Sequence, residues 1–225
     1  LFPEGANDWQ IPFIILGTTN VVYGALAAMA QRDLKFVIGY SSVSHMGLVL
    51  IGLATLERVG VAGAVLQMFS HGIMTALFFA AVGVIYDRTH TRDISVLQGL
   101  SKRMGLTSTV FVVAGLTSLG LPGLSGFVAE VMVFIGAFRT YPVVGVLGIF
   151  GAAFTAVYIL RLLASVFFGP LEKKWETLTD ATRIEGLAMG SLVIVLVLVG
   201  VYPTPFIKII DSGVAPLLAR IAEGT

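Results

Sequence analysis

The run Leu119-Gly120-Leu121-Pro122-Gly123-Leu124-Ser125-Gly126 sits in the middle of an apolar stretch, residues 106–138, that otherwise reads as helix. Continuous over its 33 residues, that helix would be about 50 Å long, well beyond a hydrocarbon core of roughly 30 Å. Pro122 removes a backbone donor and the glycines on either side relax the helix, so the stretch predicts two half-helices joined by an irregular elbow. Lipid cannot satisfy such an elbow; it belongs where protein or a wet cavity surrounds it. Broken helices of this kind mark ion and substrate paths in transporters, and a tilted, Pro-kinked structural helix is the competing reading.

Outward from the elbow, residues 11–30, 36–56, 61–86, 143–168 and 187–207 are apolar runs close to the ~20 residues that cross a bilayer as a helix. Apolar residues make up 56% of the chain and charged ones 12%, about half the charged share of a soluble domain, which excludes an ordinary soluble surface. The expected fold is an all-α integral membrane protein with about six transmembrane helices, the fourth broken between Leu121 and Gly126. Residues 1–10, 169–186 and 208–225 remain as an N-terminal segment, a loop and a C-terminal tail, and leave no room for a separate soluble domain. With no initiator Met, basic n-region or cleavage site at its start, the chain is expected to lack a signal peptide and to be part of a longer protein. Cysteine is absent, which removes disulfides, thiolate catalysis and Cys-ligated clusters, and a net charge of +1 gives no sign of a nucleic-acid partner.

Charge placement says more than its total. Arg32, Lys35, Arg88, Arg92, Lys102, Arg103, Lys173, Lys174 and Arg183 fall on one side if every span crosses, against Arg58, Arg139, Lys208 and Arg220 on the other. The positive-inside rule makes the first side cytoplasmic and puts both termini outside.

An ionisable side chain at the centre of a membrane helix costs about 2.5–3.5 kcal/mol on insertion scales, so each one needs a reason. Glu130 follows the elbow, several residues from either end of its stretch. Burial disfavours its charged form and a nearby cation favours it, and a carboxylate between those effects can take up and release a proton. His45 shares a helix face with Ser41, and His71 one with Gln67 and Thr75, at i, i+4 spacing; Ser44 adjoins His45. Imidazole can take a proton on one nitrogen and release it from the other. Two such faces on neighbouring spans, with a buried Glu close by, favour a relay over packing. Lys35 stands at the cytoplasmic end of the second span as a secondary candidate, and Arg161 aligns with Thr155 and Tyr158 in a structural role. No metal-ligand spacing and no phosphate-cradling fingerprint occurs.

The segments Ala30-Gln31-Arg32-Asp33-Leu34-Lys35, Tyr40-Ser41-Ser42-Val43-Ser44-His45-Met46-Gly47, Gln67-Met68-Phe69-Ser70-His71-Gly72 and Tyr86-Asp87-Arg88-Thr89-His90-Thr91-Arg92 carry a resemblance. So does Leu121-Pro122-Gly123 with Phe127-Val128-Ala129-Glu130. From Asn20 to about Phe206 the chain resembles the M-type, antiporter-like membrane subunit of respiratory complex I, NADH-quinone oxidoreductase. The resemblance implies a 14-helix fold of two inverted five-helix repeats, each with a broken helix. Residues 11–168 would be the second repeat and 187–207 the closing helix, that is helices nine to fourteen of the subunit. It implies that His45, His71 and Glu130 belong to a hydrophilic axis carrying protons toward an outer half-channel. It also implies that this chain holds no cofactor, with flavin, iron–sulfur clusters and quinone in partner subunits. The implied partners are L-type and N-type neighbours, the lipid bilayer and the missing N-terminal half, and the implied location is a bacterial inner membrane. Readings from other classes are a Mrp-type cation/proton antiporter, a membrane-bound hydrogenase subunit and a structural assembly fragment.

Overall fold

A computed structural model describes residues 3–223, which are helical almost throughout. A short α1 (Pro3–Asp8) precedes α2 (Gln10–Met29), α3 (Leu34–Ala54) and α4 (Arg58–Thr89). The half-helices are α5 (Gly105–Ser118) and α6 (Ser125–Thr140), followed by α7 (Pro142–Val166), α8 (Arg183–Val201) and α9 (Thr204–Glu223). Helices α2, α3, α4, α7 and α8 are each long and apolar enough to cross a membrane, and α5 with α6 makes one further crossing in two pieces.

Local chemistry sets the ends. The Asp33 carboxylate caps α3 by accepting the Lys35 amide at 2.8 Å, and Glu57 caps α4 by accepting that of Gly60 at 2.9 Å. Thr182 and Glu185 form a reciprocal capping box at the start of α8. The elbow begins as a glycine cap: Gly120 takes a left-handed φ of +64°, and the Leu121 amide reaches back to the Leu116 carbonyl at 3.0 Å. Leu124 is extended, and Ser125 opens α6.

The closing helix departs from the expected residues 187–207. It covers Arg183–Val201, because Pro203 holds Tyr202 out of helical geometry, at φ −128° and ψ 67°. The expected C-terminal tail is instead α9, whose Asp211 pairs with Arg58 at the start of α4, and the N-terminal segment contains α1. Residues 224 and 225 of the tail lie outside the described residues.

Helix α4 lies centrally, touching α3, α5, α6, α8 and α9. The end that carries most of the basic residues is closed by loop contacts: an antiparallel bridge joins Asp33 to Asp93, and the Trp175 indole donates to the Val96 carbonyl at 3.1 Å. Above that end, Phe111 packs on Phe78 and on Phe167, both with ring centroids 4.9 Å apart. Toward the opposite end Leu48, Ile51, Ala54, Val133 and Ala137 form a separate apolar cluster.

Candidate functional site

Breaking α5 at Ser118 ends one helix inside the bundle, and α6 starts again with its first turns facing α3 and α4. Glu130 is thereby carried into the interior, 6% exposed, with its carboxylate under Gly120 of the elbow. A side chain at Gly120 would meet Glu130 Oε2 at 2.5 Å, so only glycine leaves room for the carboxyl there. Gly126 lies so close to the Thr117 carbonyl that any Cβ would collide with it, and Gly200 of α8 presses on Gly123 and Leu124 in the same way. Protein thus covers one side of the elbow, while Leu121, Pro122 and Gly123 face the outside of this chain.

His45, 2% exposed, is the junction of the site. Its Nε2 lies 2.9 Å from the Ser118 hydroxyl at the end of α5, and its Nδ1 lies 3.5 Å from Glu130 Oε1 and 3.3 Å from Gln67 Nε2. The His71 ring stands 5.3 Å from that of His45, centroid to centroid, with the Thr75 hydroxyl 3.2 Å from its Nε2. His45, His71 and Glu130, read from three separate segments, therefore come together, with Gln67 and Thr75 in contact with the two rings.

Gln67 is 2% exposed, and its Oε1 has no hydrogen-bond partner within the chain. With its amide donating to Nδ1, His45 carries its proton on Nε2 and donates to Ser118. An amide turned the other way offers Oε1 to a proton on Nδ1 and leaves Nε2 bare to accept from the serine. The side chain therefore supports either tautomer.

Ser41 and Ser44 are drawn into other contacts. Ser44 donates to the Val21 carbonyl at 2.9 Å, fastening α3 to α2. Ser41 accepts from the Tyr158 hydroxyl at 2.8 Å, which joins α3 to α7. Lys35 is exposed in the first turn of α3, about 15 Å along the helix from His45, and is not brought to the cluster. Arg161 is exposed. Among the described residues no three His, Asp or Glu side chains are grouped to hold a metal ion.

Sequence reasoning missed Ser118 and Tyr158 as members of the site. The signal available was faint: Thr117-Ser118 end the half-helix, and Thr155 and Tyr158 are hydroxyls at i, i+3 in an otherwise apolar span.

Such a bundle, with an internally broken helix that sets a buried carboxylate against a histidine pair, is the architecture of antiporter-like membrane subunits. The chain belongs to the NADH:quinone oxidoreductase/Mrp antiporter transmembrane family, matched over residues 1–155. It is 42% identical over 233 residues to the NAD(P)H-quinone oxidoreductase chain 4 of Acaryochloris marina, covering 98% of this chain and 43% of that one. A second relative, from Trichodesmium erythraeum, is also 42% identical, over 99% of this chain and 44% of its own. The chain thus spans less than half the length of these relatives.

Among solved structures, a chain of respiratory complex I from Thermus thermophilus superposes with a TM-score of 0.89 at 27% identity, over 97% of this chain and 46% of that one. A chain of the Mrp complex from a Dietzia species shares the fold, with a TM-score of 0.87 at 17% identity over 96% of this chain and 48% of its own. Family and spans together make this a multi-pass membrane protein.

Proposed function

We propose that the chain is part of a proton-translocating membrane subunit of a complex-I-type NADH:quinone oxidoreductase, with His45, His71 and Glu130 as relay groups. One observation carries the reading: a single buried imidazole lies between a hydroxyl at the end of one half-helix and a carboxylate on the other. A proton accepted at His45 Nε2 from Ser118 releases the proton on Nδ1 toward Glu130, so the ring gains one and loses one. Gln67 turns its amide with the tautomer, and His71 lies beside the same ring. Electron transfer belongs to other chains, where flavin, iron–sulfur clusters and quinone are expected, and energy reaches this chain electrostatically.

The complete subunit sits in a bacterial inner membrane with the basic end of the bundle cytoplasmic, so that α1 and α9 lie outside. Neighbouring L-type and N-type subunits are its expected partners. The exposed Leu121-Pro122-Gly123 backbone supports a protein neighbour, because lipid cannot satisfy non-helical backbone at that depth. Replacing Glu130 with Gln in the assembled complex is expected to abolish or sharply reduce proton pumping in energised vesicles, and unchanged pumping would refute the assignment.

Sodium/proton antiport is the second reading, favoured by the breadth of the matched family. It requires sodium-dependent transport without an electron donor, which vesicle assays with and without donor separate from pumping.

A further inference from the structure

A hydroxyl inside a membrane helix can satisfy itself on the carbonyl one turn earlier, as Ser42, Ser108, Thr117 and Thr155 do here. Ser70 of α4 bonds across to another helix instead. Its Oγ lies 2.6 Å from that of Ser125, the first residue of α6, and both serines are 1% exposed. Among the described residues this is the one side-chain hydrogen bond that ties the first turn of α6 to another helix; Leu124, at the N-cap, supplies none.

The pair stands beside the relay site on both helices. Ser70 adjoins His71 and follows Gln67 by three residues, and Ser125 precedes Glu130 by five, about 7.5 Å along the helix. From the serines α6 runs antiparallel to α4 in a constant register. Leu66 clusters with Ala129, Gly63 lies against Met132 and Val133, and Gly60 lies against Gly136. Contacts of that kind hold α6 close but have no preferred direction, so they leave it free to turn or slide. The hydrogen bond between the serines is directional and does not.

Glu130 needs that constraint. Its Oε1 is 3.5 Å from His45 Nδ1, at the outer limit of a hydrogen bond, and its Oε2 fills the space left by the missing side chain of Gly120. A small turn of α6 therefore takes the carboxylate out of reach of the imidazole.

We infer that Ser70 and Ser125 are the positioning residues for Glu130: their hydrogen bond fixes the register and rotation of α6 on α4 and so sets the carboxylate within reach of His45. The inference rests on the relay reading above. Neither serine carries a proton; both act through Glu130.

Ser70→Ala, Ser125→Ala and the double variant test this in the assembled complex, with melting temperature and proton release per electron pair read on each. Either single variant leaves one buried hydroxyl without its partner, so both are expected to melt below wild type. Both are also expected to pump about tenfold less, a modest share of what a misplacement near 1 Å can cost. The double variant orphans no hydroxyl, and its melting temperature is expected to return close to wild type while pumping stays low. Pumping that recovers together with stability makes the pair merely structural and overturns the inference, as does wild-type pumping in the single variants. Ser70→Thr keeps a hydroxyl in place and is expected to retain more than half of the pumping; a loss as deep as that of Ser70→Ala also overturns it. Glu130→Gln run alongside separates the two failures. If it abolishes pumping and the double variant pumps normally, only the positioning role falls; if Glu130→Gln itself pumps like wild type, the relay reading falls and the inference with it.

Discussion

The two halves of the bundle, divided at the elbow, are built on different principles. On the basic side, helices are held apart enough for a cavity of about 670 Å³ between the end of α2, the loop after α4 and the last turns of α7. They are tied by polar contacts: the Asp33–Asp93 bridge, the Arg88–Glu185 ion pair and Tyr158 against Ser41. On the opposite side the helices close to backbone contact. A Cβ on Gly136 would fall on the Gly60 backbone, and one on Gly52 would meet the Gly60 carbonyl at 2.8 Å. The basic half thus combines hydrogen bonds with a broad apolar cluster around Phe78, Phe111 and Phe167, while at the other end close glycine contacts stand beside the Arg58–Asp211 and Arg139–Glu57 ion pairs.

Gly136→Val should break that contrast with the largest effect. The obstructing atoms are backbone of α4, which cannot turn aside as a side chain can, so α6 must move away. Overpacking of this kind costs about 1–3 kcal/mol. The expected outcome is a clear drop in the melting temperature of the complex; a fully stable variant would show that the two helices are not held at this glycine contact.

Gln67→Leu probes the boundary between the halves. It keeps the bulk and removes the amide that faces His45 Nδ1, leaving that nitrogen to Glu130 and the ring to Ser118. Pumping is expected to fall up to about tenfold, the upper size of one ordinary buried hydrogen bond, with assembly intact. Gln67→Glu should restore less than half of it, since a carboxylate 3.3 Å from the ring competes with Glu130 for the same proton. Proton release measured per electron pair distinguishes the variants.

The elbow and the ionisable groups beside it were easier to read from sequence than the polar contacts of the basic half. Pro122 between glycines in a stretch too long for one crossing announces the break, and Glu130, His45 and His71 stand out because ionisable groups in apolar runs are costly enough to require explanation. Hydroxyls carry no such mark. Thr155 satisfies itself on the Gly151 carbonyl at 3.2 Å within its own helix, as any membrane threonine can, so nothing in the span separates it or Tyr158 from ordinary filler. The cavity depends on how three distant segments meet, which periodicity does not encode. Helix α9 was hidden for another reason: its Lys208, Asp211 and Arg220 break the hydropathy signal, and its helical character comes from lying along the bundle end, with Asp211 on Arg58.

Asp180 offers the smallest effect and the sharpest test of the polar half. From the loop before α8 it reaches the start of α5, where its carboxylate accepts the Leu106 amide at 2.6 Å, the Thr107 amide at 3.1 Å and the Thr107 hydroxyl at 2.7 Å. A helix that begins at Gly105 without a cap of its own is thus capped from 74 residues away. Partial burial would raise this carboxyl, but the hydrogen bonds from Thr107, Ala181 and Leu106 outweigh it and hold the pKa below the ordinary value of 3.8. A depressed folded-state pKa contributes stability that is complete above the unfolded value and is lost as pH falls through the folded one. Asp180→Ala should therefore cost about 1 kcal/mol at neutral pH, the low end for a lost cap at a partly exposed site. The gap from wild type should narrow only below about pH 4. The cost of Gly136→Val, being steric, should stay constant across the same range. Melting curves of both variants between neutral and acid pH would show whether the two halves differ in this way; parallel pH profiles would mean that they do not.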